Sequence, residues 1–419
     1  MSRLGPAGAE WRLAPPPRTA GSEDERIPTD LLQAVLREHL DDPTAVLIGL
    51  ELAPVPVDGY SGNRLYRVRF DWAGAAGRHG TATWVVKRWL PGGHAERLLG
   101  VDRPLEALAC EAGLLRPDAV PPGLSVPMLG ARRDPDGRAA WIVMEDASEA
   151  LQRYSRDAPL HPTEAVARAA QVLDGLARLH VWWEHPERQA RLGACPWLVP
   201  MERVLWCEAA SFAGLLGRAV PAGLAPGSAP SEESRADLAA FLAWLPAGDR
   251  ARFESLLTRR EPLVDALRAL PRTLLHGDTD DRNVGLGALG PGAASAHDEA
   301  LGPDLVLIDW EWIGHGPPAL DVARLWATLP AVCDHTLPPP EETFTFDLPD
   351  HYFDRYRSYG GVLTDRVTWR RACTLAMLGH GFGQIGFFGA MIRHDVKPVL
   401  ANIARQFEMI AGAARSLIV

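Results

Sequence analysis

The sequence predicts an α+β fold in which a strand-rich first third precedes a longer helix-rich remainder. Three observations carry that expectation. Between Ala53 and Glu145 apolar residues alternate or run in short blocks, as in Leu65-Tyr66-Arg67-Val68-Arg69-Phe70 and Trp141-Ile142-Val143-Met144. From Pro162 the spacing turns helical, with Val166, Ala169, Ala170, Leu173, Leu176, Ala177 and His180 on one face. The 419 residues, 47% hydrophobic and 23% charged, suffice for two domains or one bilobal unit with a sizeable core.

Taken in order, residues 1–27 are rich in Pro, Gly, Ala and charge, including Pro15-Pro16-Pro17, and read as a loosely docked tail. Thr29 can cap a first helix through Leu40, with Leu31, Leu32, Val35 and Leu36 as its apolar stripe. A strand-turn-strand from Ala53 to Phe70 follows, centred on Asp58-Gly59-Tyr60-Ser61-Gly62-Asn63. Small residues at such a tip let backbone N–H groups approach phosphates, and a Gly-Asn hairpin with no ligand reads the same way. Thr81-Ala82-Thr83-Trp84-Val85-Val86-Lys87 is the next strand, and Leu105 to Leu115 a helix containing Glu106 and Glu111, either of which could pair with Lys87.

The strand ending at Met144 leads into Glu145-Asp146-Ala147, where the strand-rich and helix-rich regions meet. We read a boundary there, with one unit over residues 28–146 and another over residues 147–419. His180 closes the apolar face of its helix and is expected in the core. Ala219 to Ser234 is expected to be a surface loop, followed by helices at Ala236–Leu245, Asp249–Leu257 and Glu261–Leu270. Gly285 to Gly302 is expected to be the loop of a hairpin whose second strand, Asp304 to Ile308, brings Asn283 next to Asp309. Helices dominate from Pro317 on.

Composition narrows the function. A net charge of −10 argues against binding nucleic acid, whose phosphates call for excess Lys and Arg. The five cysteines form no CxxC pair, so neither a zinc site nor a disulfide framework is expected. The first residues lack an apolar signal core and no run reaches membrane-spanning length, so a cytoplasmic protein without a membrane partner is expected.

The chemistry concentrates at Leu274-Leu275-His276-Gly277-Asp278-Thr279-Asp280-Asp281-Arg282-Asn283 and at Leu305-Val306-Leu307-Ile308-Asp309-Trp310-Glu311. Phosphoryl transfer from a nucleotide needs a group to receive the acceptor hydroxyl's proton and oxygen ligands for a magnesium ion. One Asp facing the hydroxyl, with an Asn and a second Asp facing the metal, supply those parts.

Together with Gly316-Pro317-Pro318-Ala319-Leu320-Asp321 and Leu176-Ala177-Arg178-Leu179-His180, these segments resemble the aminoglycoside phosphotransferase and choline kinase superfamily over roughly residues 30–410. The resemblance implies a bilobal protein kinase-like fold, with a small antiparallel-sheet lobe and a larger, mainly helical one. It implies a small-molecule O-phosphotransferase using ATP or GTP and Mg2+. It matches Asp278 to the catalytic aspartate and Asn283 and Asp309 to the metal ligands. Lys87 and Glu111 match the phosphate-binding lysine and its helical partner, with Glu111 fitting better than Glu106. Ser61, Gly62 and Asn63 match the loop over the phosphates, and Met144 to Asp146 the segment whose backbone meets the adenine. His276 and Asp321 would support the catalytic loop.

The acceptor implied is a small hydroxylated molecule of the sugar, aminocyclitol or amino-alcohol class. Asp280 and Asp281 depart from the family pattern; facing the cleft they would favour a cationic acceptor, and in solvent they would say nothing of it. Trp206, with Glu202 and Glu208, and Glu311 are further acceptor-side candidates. A protein kinase is disfavoured because no G-x-G-x-x-G loop or Ala-Pro-Glu segment occurs. A nucleotide-binding module without catalysis is the other alternative.

Overall fold

Leu31, Leu32, Val35 and Leu36 lie on one side of helix α1 (Thr29–His39), and all four are buried. They cover one face of an antiparallel sheet built from β1 (Val46–Val55), β2 (Arg64–Ala73) and β3 (His79–Trp89), extended by two later strands. The computed structural model describes residues 27–55, 63–91, 103–152, 160–202, 232–258, 260–287, 304–333, 337, 345–383, 385–394 and 397–416. After helix α2 (Leu105–Glu111) and the short β4 (Leu124–Ser125) come β5 (Met128–Arg133) and β6 (Ala140–Glu145). The sheet order is β1-β2-β3-β6-β5, antiparallel throughout. The α+β class expected from the sequence is the one the chain has.

Strand alternation sorts the two faces. Val68, Phe70, Trp84, Val86, Trp141 and Val143 turn toward α1, while Trp89, Ile142 and Met144 join the larger core shared with the later helices. The helical region comprises α3 (Ser148–Gln152), α4 (Pro162–Glu184), α5 (Pro186–Gly193), α6 (Glu232–Trp244), α7 (Ala247–Thr258) and α8 (Arg260–Arg268). After the site strands it continues with α9 (Ala319–Val332), α10 (Asp347–Ser358), α11 (Arg366–Gly383), α12 (Ile385–Arg393) and α13 (Lys397–Ser416). Among the described residues no helix is long and apolar enough to cross a membrane.

Between those helices run β7 (Val199–Pro200), β8 (Thr273–Leu275), β9 (Val284–Leu286), β10 (Leu305–Leu307) and β11 (Gly314–Gly316). They form two small sheets, β4-β10-β9 and β7-β11-β8. The expected hairpin is present: Val284 pairs with Leu307 and Leu286 with Leu305. The structure differs from expectation at several edges. Strand β1 begins at Val46, with Val46, Ile48, Leu50 and Leu52 exposed along the sheet edge. Helix α2 stops at Glu111, because Gly113 takes φ 68° in the left-handed region. Glu232 to Ser234, expected in a loop, already belong to α6, while residues 219–231 lie outside the described ones.

Helix α4 crosses the site hairpin at Gly175, where an added Cβ would stand 2.6 Å from Leu305 Cβ. On an open helix surface, Gly to Ala gains about 1 kcal/mol of helix propensity. Here the extra methyl must push β10 aside, so Gly175→Ala should destabilise by roughly 1–3 kcal/mol. Urea unfolding reads the sign; a gain in stability would show that α4 and β10 are not in close contact.

Candidate active site

The same alternation that turns Trp84 and Val86 to α1 leaves Lys87 on the opposite face of β3, 4% exposed. An ammonium removed from water needs compensating charge. Lys87 Nζ lies 2.7 Å from Glu106 Oε2 and 3.8 Å from Glu311 Oε2, and it donates a short hydrogen bond to Asp309 Oδ1. Burial alone would push the lysine pKa down. The charges of Asp309, Glu106 and Glu311 outweigh it and hold Lys87 charged.

Glu106 is fully buried, and its other oxygen accepts the Trp310 N–H at 3.1 Å. Helix α2 therefore grips strand β3 and the turn after β10 at once. Asp309 enters that turn at φ 61°, a left-handed conformation uncommon outside glycine. Asn63, immediately before β2, donates to Glu311 Oε2 at 2.9 Å, tying a third stretch to the same turn. Burial raises the Glu311 pKa, and the neighbouring Asp309 charge raises it further.

The His276-Gly277-Asp278 turn follows β8 and is fixed from the first turn of α9. Asp321 is fully buried; its carboxylate accepts the His276 N–H at 2.9 Å and the Gly277 N–H at 2.8 Å. Thr279 Oγ1 donates to the Asp321 carbonyl at 2.7 Å. Behind it, His180 Nε2 lies 3.2 Å from Asp321 and His180 Nδ1 lies 2.7 Å from the Tyr352 hydroxyl. Burial would raise the Asp321 pKa, but the His180 hydrogen bond and its other partners hold it below the usual carboxylate range. Gly277 has φ 82°, and a Cβ there would meet the Trp312 carbonyl oxygen at 2.3 Å, so no other residue fits. His276 Nδ1 accepts the Asp278 N–H at 3.2 Å, which leaves Nε2 protonated to donate to the Ile308 carbonyl at 2.7 Å.

Asn283 Nδ2 donates to Asp278 Oδ2 at 2.9 Å and to the Asp278 carbonyl at 3.0 Å, so its Oδ1 is the end left to accept. The Ile308 N–H bonds the Asn283 carbonyl at 3.0 Å, holding Asn283 beside Asp309. From α9, one turn beyond Asp321, Arg324 Nη2 reaches Asp278 Oδ1 at 2.5 Å. Its Nη1 lies 3.2 Å from His380 Nδ1 on α11. Burial, then the Arg324 charge, press the His380 pKa well below its usual value, so it is uncharged and accepts. Burial raises the Asp278 pKa while Arg324 opposes the rise.

Asn283 Oδ1 and the Asp309 carboxylate are hard oxygen donors that could share a cation. Among the described residues no group of three or more His, Cys, Asp or Glu is arranged to hold a metal by itself. A cation here would complete its shell from water and a bound substrate, as magnesium commonly does.

Of the residues expected from sequence, Lys87, Asn63, Asp278, Asn283, Asp309 and Glu311 converge. Glu111 does not: it lies on the outer side of α2, bound to Arg133 at 2.8 Å, and the lysine partner is Glu106. Asp280 and Asp281 are each only 2% exposed, so neither is a solvated turn residue. Asp280 is taken by Arg282 through Nε and Nη2, each at 2.9 Å, which leaves it no unbalanced charge for a cationic acceptor. Glu202, also buried, is tied to Arg272 at 2.9 and 3.1 Å, a structural pairing. Met144 is buried in β6, and Asp146 is bound by Arg67 at 2.8 Å and by Ser148. Ser61, Gly62, Trp206 and Glu208 lie outside the described residues.

Sequence reasoning missed Arg324 and His380 and preferred the wrong glutamate. The available signals were charges set inside apolar runs: Leu105-Glu106-Ala107-Leu108 and Val322-Ala323-Arg324-Leu325.

Neither a protein-family model nor a curated protein matches the chain. Solved structures do. The chain is similar to an ethanolamine kinase from Plasmodium vivax, at 12% identity over 88% of this chain and 84% of that one, with a TM-score of 0.47. It is similar to choline kinase LicA from Streptococcus pneumoniae, at 14% identity over 92% and 99%, with a TM-score of 0.42. A choline/ethanolamine kinase family protein from Mesorhizobium loti is 16% identical over 87% of this chain and 86% of its own, with a TM-score of 0.40.

The two glutamates of α2 should separate cleanly in denaturant unfolding. Glu106→Gln leaves a buried ammonium short of one partner and should cost about 3 kcal/mol. Glu111→Gln removes a half-exposed pair and should cost under about 0.5 kcal/mol. Equal losses would contradict the pairing.

Asp321 also makes an acid-stability prediction. Its folded pKa lies below the ordinary value of 3.8, so its contribution is present above that value and is lost as pH falls below it. Acid unfolding of Asp321→Asn, already weakened at neutral pH, should be less steep below about pH 4 than that of the parent. An unchanged acid profile would remove Asp321 from the ionised set.

Proposed function

We propose that the chain is a small-molecule O-phosphotransferase that moves the terminal phosphoryl group of a nucleoside triphosphate, ATP or GTP, to a hydroxyl. The observation that carries the reading is the convergence of Lys87, Asp309, Asn283 and Asp278, held in place from the five-stranded sheet, α2 and α9. In this reading residues 28–146 hold the nucleotide, with the backbone of Met144 to Asp146 against the base. Residues 147–419 supply the catalytic loop and the acceptor side.

Lys87 has the carboxylates of Glu106 and Asp309 beside it, and Glu311, its pKa pushed up to about 8, lies 3.8 Å away. Two negative charges therefore face one ammonium, and the cluster is short of positive charge. Asn283 Oδ1 and Asp309 fit a divalent cation of the magnesium type, which would neutralise phosphate charge when bound. Binding would let Lys87 trade part of its contact with Asp309 for the nucleotide phosphates, while Glu106 keeps its position. Asp278 orients the acceptor hydroxyl and takes its proton as the new P–O bond forms. The bond from the terminal phosphorus to the bridging oxygen breaks, and the nucleoside diphosphate leaves with that electron pair. Catalysis is then mostly positioning and electrostatics, which is what a loop fixed by Asp321 and His276 provides. The acceptor is a small hydroxylated molecule of sugar, aminocyclitol or amino-alcohol size.

Asp278→Ala should lower phosphoryl transfer by about 10³-fold while leaving nucleotide affinity nearly unchanged. Transfer followed with γ-labelled ATP across a panel of hydroxylated metabolites and antibiotics reads the first, and equilibrium titration reads the second. Undiminished turnover in the variant would overturn the assignment; nucleotide binding with no transfer to any acceptor would favour a binding module.

A further inference from the structure

We propose that Arg324 sets the acceptor class: the molecule phosphorylated here carries an acid group, a carboxylate or a phosphate ester, close to its reacting hydroxyl. The inference rests on Asp278 receiving that hydroxyl. Asn283 donates to Asp278 Oδ2 and Arg324 Nη2 stands 2.5 Å from Oδ1, so a hydroxyl that reaches Asp278 arrives next to the guanidinium or displaces it from the carboxylate. Any acceptor therefore meets a guanidinium beside the point of transfer.

That guanidinium is placed. Arg324 sits one turn beyond the locked Asp321, and its Nη1 lies 3.2 Å from His380 Nδ1. His380 is 4% exposed and uncharged, so it accepts from the arginine without cancelling its charge. Asp280, 3.9 Å away, is already shared with Arg282. The arginine also has donors to spare. Its Nη1 and Nη2 each carry a second N–H beyond those facing His380 and Asp278, and the side chain is 20% exposed. A planar acid group engaging the remaining N–H donors satisfies the guanidinium as Asp278 turns to the hydroxyl. An ammonium or quaternary amine at the same place meets like charge and is rejected.

A merely structural Arg324, present to keep Asp278 ionised, would affect every acceptor equally. The 419-residue chain, Arg324→Met and Arg324→Lys should therefore be titrated, with Mg2+ and a non-hydrolysable ATP analogue present, against D-glycerate, ribose 5-phosphate, ribose and choline. We expect at least one anionic probe to bind about tenfold or more tightly than ribose and choline. Arg324→Met should lose that preference selectively and Arg324→Lys should keep part of it. Which anionic probe responds tells a carboxylate from a phosphate ester. Tighter binding of choline or ribose to the parent, an equal loss on all probes, or no Arg324-dependent anion binding would overturn the proposal. Transfer from labelled ATP, run beside it, separates the two levels of inference. Phosphorylated choline would sink the acceptor class and leave the phosphotransferase standing. Anion binding through Arg324 with neither nucleotide binding nor transfer would do the reverse.

Discussion

One buried cation organises this protein. Strand alternation places Lys87 on the inner face of the sheet, where an uncompensated ammonium could not remain charged. Its compensation comes from Glu106 on α2 and from Asp309 and Glu311 in the turn after β10, three groups drawn from two distant stretches of chain. Because Glu106 also takes the Trp310 N–H, the sheet, the helix and the hairpin turn cannot move independently. Glu106 and Asp309 together bring two negative charges to this one ammonium, and under the proposed function a divalent cation would supply the missing positive charge.

A second constraint fixes the other wall. Asp321 spends its side chain on the backbone of a tight turn, and His180 and Tyr352 close the network behind it. The cost of burying this carboxylate is offset by hydrogen bonds whose geometry permits one conformation of His276-Gly277-Asp278. Under the proposed function that rigidity would hold Asp278 in place for the acceptor hydroxyl. Asn283 donates to one Asp278 carboxylate oxygen and Arg324 stands against the other.

Much of this was legible in the sequence, and the failures have physical reasons. The two acidic segments stood out because an apolar strand running into an Asp-rich turn is a pattern few structures require. The hairpin between them followed from a Gly- and Ala-rich loop flanked by short apolar runs, and β9 and β10 pair as expected. The lysine partner was misassigned because Glu106 and Glu111 lie on the same short helix. Only tertiary packing decides which of the two faces Lys87. Arg324 stands out locally only as a charge inside an apolar run; that it meets Asp278, with His380 behind it, is decided by the packing of helices far along the chain. Asp280 and Asp281 are buried and not solvated, which their charge alone does not reveal, and Arg282 balances Asp280. Strands β7 and β11 are too short to carry a periodic signal at all.

The central claim is that Asn283 and Asp309 share a divalent cation with a nucleotide held by Lys87. Electron paramagnetic resonance with Mn2+ as the reporter tests it most directly. The account predicts that Mn2+ binds tightly only when ATP is present, with phosphorus couplings in its spectrum, and that Asp309→Asn abolishes the bound signal. Mn2+ binding that is indifferent to ATP, or that survives in Asp309→Asn, would contradict it.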